Sequence, residues 1–224
     1  VGNFTEDDIA EEVEYDDSEV VELKLVNDTA IIENKPGVGV TKTDITNASC
    51  VSGAELTVTD SKGKVADKWI SECVKNANDD KAKETHILNL EPGTYTLTES
   101  MAPIGYATAE SIKFTIDEDG RASTSLDMKD DPINVCILKT AKGIKDGLAG
   151  AEFEIYKENG EIYDKFTSGT SCTSFAYMPV GNYIIKEIKA PDGYQIINEE
   201  TKITVKDTKE TQIFEIENEV IVCL

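Results

Sequence analysis

The sequence predicts an all-β chain made of two tandem antiparallel β-sandwiches. Three observations carry that expectation. Short stretches rich in Val, Ile, Thr and Tyr alternate apolar and polar residues. Turn signals separate them every eight to twelve residues. The pattern also repeats after about ninety residues, for Tyr95-Thr-Leu-Thr-Glu99-Ser-Met-Ala-Pro103-Ile-Gly105-Tyr106 recurs as Tyr183-Ile-Ile-Lys-Glu187-Ile-Lys-Ala-Pro191-Asp-Gly193-Tyr194.

In chain order, residues 1–36 hold twelve acidic residues against two lysines, close to half of the net charge of −22. The first fourteen carry few apolar positions and read as a solvated acidic edge. From Val20 to Pro36 two alternating runs flank Asn27-Asp28-Thr29, which predicts a hairpin. Its end, Ile32-Glu-Asn34, resembles Ile216-Glu-Asn218 and Met128-Lys-Asp130 at the ends of the later units, so 1–36 reads as an acidic segment plus the last hairpin of a preceding repeat.

The first complete unit spans 37–132, with strands expected at Val38–Thr43, Glu55–Thr59, Val65–Ile70, His86–Leu90, Tyr95–Glu99, Ser111–Ile116 and Ser123–Lys129. A polar insert between Cys73 and Thr85 is a loop by composition, with room for one helical turn. The second unit, 133–219, keeps the order, lacks the insert and has Asn159-Gly160 as a hairpin turn. Residues 220–224 match the start of a unit, as Val222-Cys223-Leu224 resembles Val135-Cys136-Ile137, and the chain reads as an excerpt from a longer array.

Period-two alternation also places charge inside. Tyr95, Leu97 and Glu99 share one face, as do Tyr183, Ile185 and Glu187. An inward glutamate is costly unless protonated or paired. Each unit offers a partner: Lys42 follows Val38 and Val40 on one face, Lys139 follows Val135 and Ile137, and both precede a Gly-Ala-Glu by eleven positions. Asp130 and Asn218 lie thirty-one residues beyond their glutamates, in step with Leu126 and Met128 and with Phe214 and Ile216. Each interior therefore receives Lys, Glu and Asp/Asn from its first, a middle and its last strand. Asp131 adjoins Asp130 and competes for that place.

These residues resemble the collagen-adhesin B-type (SpaA/Cna-B, prealbumin-like) repeat of Gram-positive surface proteins and pilins. The likeness rests on Gly-Ala-Glu-Leu after a lysine strand, Leu90-Glu-Pro-Gly-Thr-Tyr-Thr-Leu-Thr-Glu99-Ser-Met-Ala-Pro-Ile-Gly-Tyr106, and the closing Met-Lys-Asp130. It implies an immunoglobulin-like or prealbumin-like sandwich and a spontaneous intramolecular isopeptide bond between lysine and Asp/Asn, assisted by the glutamate. Carried over by position, Lys42 joins Asp130 with Glu99, Lys139 joins Asn218 with Glu187, and Asn34 is an acceptor whose lysine lies in the preceding repeat. Burial favours the neutral, nucleophilic amine and a protonated carboxyl able to polarise the acceptor carbonyl. The alternative for each trio is a buried salt bridge without a bond.

The resemblance further implies structural spacer modules of an adhesin or pilus backbone, extracellular and anchored in a Gram-positive cell wall. The partners would be neighbouring repeats of the same polypeptide, with other pilin subunits or a host or matrix ligand as further ones. A binding module acting through exposed loops is the rival; a transthyretin-like enzyme would need several histidines, and there is one. No cofactor is expected. Strong negative charge disfavours nucleic acid and anionic membrane surfaces, and no run of eighteen apolar residues exists to span a membrane.

The five cysteines show no zinc spacing, and free thiols are expected, although Cys50 and Cys73 can pair in an oxidising compartment. Asp117-Glu-Asp-Gly120 lacks the ligand spacing of a calcium loop and reads as a turn. His86, Trp69 and Tyr106 read as surface or packing residues.

Overall fold

The computed structural model describes residues 19–26, 29–75, 82–84 and 86–221, with only the backbone described over 19–36. Strands β1 (Glu19–Val26) and β2 (Thr29–Pro36) pair antiparallel with Val26 opposite Thr29, which is the expected hairpin. Its turn, the acidic residues 1–14 and Val222-Cys223-Leu224 lie outside the described residues.

The first repeat contains β3 (Val38–Asp44), β4 (Glu55–Asp60), β5 (Val65–Ile70), β6 (Cys73–Val74), β7 (Lys83–Glu84), β8 (Ile87–Leu88), β9 (Gly93–Met101), β10 (Tyr106–Ala107), β11 (Ile112–Ile116) and β12 (Leu126–Pro132). The second contains β13 (Asn134–Ala141), β14 (Glu152–Lys157), β15 (Ile162–Thr167), β16 (Thr173–Ala176), β17 (Gly181–Lys189), β18 (Tyr194–Ile196), β19 (Glu200–Val205) and β20 (Gln212–Val220). The ends of the polar insert form the short ladder β6–β7 instead of a plain loop, because Cys73 pairs with Glu84 and Val74 with Lys83. The expected strand His86–Leu90 shrinks to Ile87–Leu88, and β10 was not expected.

Both repeats fold to one plan. One sheet runs β10-β12-β3-β8 and the other β11-β9-β4-β5; the second repeat gives β18-β20-β13-β16 and β19-β17-β14-β15. Most pairs are antiparallel, but the first and last strands of each repeat, β3 with β12 and β13 with β20, run parallel. Alternation cannot reveal strand direction, so this pairing was not legible in the sequence. The chain divides into two compact units, Pro103–Thr108 grouping with the residues from Asp131 onward and the remainder up to Asp130 forming the other.

Each unit has its own core, drawn from both of its sheets. Val40, Leu56, Val58, Leu88, Leu97, Phe114, Leu126 and Met128 fill the first; Ile137, Phe153, Ile155, Met178, Ile185, Val205 and Ile216 are among those filling the second. The recurring tyrosines have a shared reason. Tyr95 packs in the core and donates its hydroxyl to the Glu91 carbonyl at 2.9 Å, and Tyr183 does the same to Pro179 at 2.9 Å.

The recurring Gly-Ala-Glu is explained too. Gly53 and Gly150 adopt φ of +94° and +96°, in the region that side chains avoid. The alanine after each has its amide capped by a buried serine: Ala54 by Ser71 Oγ at 2.9 Å and Ala151 by Ser168 Oγ at 3.0 Å. Those serines donate onward to the Val51 and Leu148 carbonyls.

The expectation of free thiols is corrected. Cys50 pairs with Cys73 and Cys136 with Cys172, at Cα separations of 5.8 and 5.7 Å. The first bond ties the loop after β3 to β6, the second ties β13 to the approach to β16. The second pair spans 36 residues of sequence, and nothing in the local spacing signals it.

Candidate functional site

The lysines sit where alternation requires. On β3, Val40, Lys42 and Asp44 are buried while Thr41 is exposed between them. On β13, Val135, Ile137, Lys139 and Ala141 are buried. Lys42 and Lys139 are among the largest fully buried side chains of the described residues, at 0% and 1% exposure. A lysine so placed needs a neutral amine or a close counter-charge.

In the first unit both neighbours arrive. Met128 is the register partner of Lys42 and Asp130 that of Asp44, so Asp130 stands one step further along the interior face of β12. The Lys42 amine contacts Asp130 Oδ1 directly. Glu99 reaches across from β9 in the facing sheet, its Oε1 2.9 Å from Lys42 Nζ and its Oε2 accepting the Ala109 amide at 2.6 Å. Asp131 occupies the other face of β12, with Lys209 Nζ at 3.7 Å. The lysine therefore faces Asp130, not Asp131.

The second unit repeats the layout. Ile216 is the register partner of Lys139, and Asn218 is two residues on, opposite Ala141. Lys139 Nζ lies 3.2 Å from Glu187 Oε2, and Asn218 Nδ2 donates to Glu187 Oε1 at 2.6 Å. Burial pushes the Lys139 amine below the usual lysine range, against the opposing attraction of the Glu187 carboxylate. The Phe153 ring lies 5.9 Å from the nitrogen. The Lys139–Glu187 contact is close but not aligned for a hydrogen bond, and Lys139 Nζ, Glu187 Oε2 and Asn218 Oδ1 are all left without one. Buried polar atoms seldom stay unsatisfied without a reason.

The structure brings these six side chains together as two buried groups, one in each unit. Asn34 lies in β2, opposite Val21, and its side chain is outside the described set. His86 stacks on Trp69 at 3.9 Å between ring centroids and binds Asp67 Oδ2 at 2.8 Å, a packing role away from either trio. Asp117-Glu-Asp-Gly120 is a turn, with the Arg121 and Asp119 amides donating to Asp117 Oδ1. Among the described residues, no group of three or more His, Cys, Asp or Glu could hold a metal ion, and no helix could cross a membrane.

The model of the SpaA prealbumin-like fold domain matches residues 36–132 and, separately, residues 133–220. The chain belongs to this family. No curated protein matches it. Among solved structures, the Bacillus anthracis TIE protein is similar over 91% of this chain and 41% of its own, at 19% identity and a TM-score of 0.42. The chain thus spans under half the length of that protein. The C-terminal fragment of the pilus adhesin SpaC from Lactobacillus rhamnosus GG is covered to 98%, against 84% of this chain, at 18% identity and a TM-score of 0.42. GBS52, the minor pilin of Streptococcus agalactiae, gives 17% identity, 91% and 90% coverage and a TM-score of 0.36.

Within this SpaA-type frame, sequence reasoning missed one buried group beside a site. Asp44 is 1% exposed. It continues the alternation of Val40 and Lys42, which was the available signal.

Proposed function

We propose that each unit closes an intramolecular isopeptide bond, Lys42 to Asp130 and Lys139 to Asn218, and that the crosslinked units, 37–132 and 133–219, act as spacers of a cell-wall-anchored adhesin or pilus backbone. The observation that carries this reading is the pair of buried trios on one plan. In each, a lysine from the first strand and an acceptor from the last lie on neighbouring parallel strands, with a glutamate above them from the facing sheet.

The lysine nitrogen attacks Cγ of the acceptor. A new N–C bond forms, the Cγ–O bond of Asp130 or the Cγ–N bond of Asn218 breaks, and water or ammonia leaves. Glu99 or Glu187, protonated, donates to the acceptor carbonyl oxygen and passes the proton of the amine to the leaving group. Fixed proximity supplies much of the rate. The reaction occurs once per site, so the protein modifies itself and turns over no substrate.

The partners in this role are neighbouring repeats and, in a pilus, other subunits. The two disulfides support an oxidising, extracellular location on a Gram-positive cell surface. A second reading, adhesion through loops, is favoured by one observation. A groove of about 460 Å³ beside β3 is lined by Asn47, Ser49, Lys83 and Glu84 among others.

Single-site variants test the chemistry. Glu99→Ala should keep the loss of ammonia and abolish the loss of water, and Glu187→Ala should do the reverse. Retention of both losses in both variants would overturn the assigned roles.

A further inference from the structure

The two sites differ in one respect that the shared plan does not require. Asp44 occupies the first interior, in register with Asp130 on the adjacent strand, while the matching place opposite Asn218 holds Ala141. Both aspartates are buried, at 1% and 0% exposure. Neighbouring strands lie about 4.8 Å apart, so the two aspartates leave adjacent strands at the same level on one apolar face. The backbone frame does not need the acid. Ala141 accepts the Ile144 amide and Asn218 the Lys142 amide in the second unit, much as Asp44 accepts from Ala48 and Asp130 from Ile45 in the first.

Asp44 is equipped to be the ionised member. Its Oδ1 accepts the Thr46 amide at 2.7 Å and the Thr46 hydroxyl at 2.5 Å, and hydrogen bonds to a carboxylate favour its charged form. The titratable groups on the interior faces around it are Lys42 on its own strand, Asp130 on β12 and Glu99 on β9. Asp127 and Lys129 lie on the opposite face of β12, and Lys83 and Glu84 line the groove outside β3.

Proton counting shows what such an anion does. The second site has one amine and one carboxyl. A single shared proton leaves it neutral overall, and the Asn218 amide is an electrophile without any proton of its own. The first site has one amine and two carboxyls, and a carboxylate is a poor electrophile. Reaction needs two protons on Lys42, Glu99 and Asp130 together. The competing state holds one proton and a net negative charge. A fixed anion alongside raises the energy of that negative state, however the protons are shared within the trio.

We propose that Asp44 is a positioning residue of the first crosslinking site, an anchored anion that keeps the trio at the two-proton count required by a carboxylic acid acceptor. The inference rests on the isopeptide reading above and explains why the acid accompanies the aspartate acceptor and is missing beside the asparagine.

The test uses the full chain made by cell-free translation and chased into buffers from neutral to mildly acid pH, with both bonds counted by intact mass over time. The Lys139–Asn218 bond is the internal reference. Asp44→Asn should slow the first bond on the order of tenfold at neutral pH, the factor for one pH unit, and the rate should recover on acidification. In an Asp130→Asn background, Asp44→Asn should change the rate less than twofold, and formation of that bond also shows that the unit folds. Equal slowing with both acceptors would assign Asp44 to the turn alone and overturn the proposal, as would no slowing with either. A wild-type chain that never loses water would instead remove the crosslinking reading on which the proposal stands.

Discussion

Lys139 concentrates the physical problem of the chain in one residue. Its amine is pulled below its ordinary value of 10.5 by burial. While the amine is free, the unfolded chain therefore binds more protons than the folded chain. Stability must then rise with pH across the window between the lowered value and 10.5, with the full penalty below it and none above. Once the nitrogen is an amide it no longer titrates. In Asn218→Ala, which leaves the amine unbonded, the urea midpoint should climb relative to wild type as pH rises through that window. Burial raises the Tyr163 and Tyr183 hydroxyls and gives the opposite slope at high pH, but both proteins share it, so the difference isolates the lysine. A parallel pair of curves would mean that the wild-type amine is also free. The inward lysines and glutamates were legible because a period of two leaves no other face for them. Asp44 obeyed the same alternation, but only its pairing with Asp130 across parallel strands gave it meaning.

Among the elements, the Gly-Ala-Glu entry to β4 and β14 is set by backbone and not by space. Among the described residues, nothing lies within 4 Å of a Cβ added at Gly53, and only the Pro191 side chain, at 3.9 Å, at Gly150. Gly53→Ala and Gly150→Ala should each cost about 1–2 kcal/mol from the positive φ alone, measured by urea denaturation. A larger loss would point to a packing conflict that the structure does not contain. The converse change should help: Ala48 sits at φ +57° in the loop after β3, and Ala48→Gly should be stabilising by up to about 1 kcal/mol. Strands with strong alternation were read to within a few residues. The strands that escaped, β6, β7 and β10, are two residues long and take their order from tertiary pairing. The Cys136–Cys172 disulfide escaped for a related reason, since it joins segments 36 residues apart that only the fold brings together, whereas the Cys50–Cys73 pairing was open in the sequence.

For the whole molecule, the consequence is mechanical. Lys42 and Asp130 are 88 residues apart in sequence yet adjacent in space, so a bond between them lets tension pass from first strand to last around the sandwich. By analogy with a disulfide closing a loop of that length, the proposed bond would add on the order of 4–5 kcal/mol. Lys42→Ala should keep the fold of the second unit but release the first under force, extending by up to about 300 Å for 88 residues, where the wild type shows no such step in single-molecule pulling. The tandem all-β plan was legible from the repeat, while the closeness of first and last strands was supplied by the resemblance and then by the parallel pairing. The most direct measurement is the intact mass of the chain under reducing conditions, which removes the disulfides from the count. Loss of one water and one ammonia is the predicted result. A mass equal to that of the unmodified sequence would contradict the account and leave both trios as buried ion pairs.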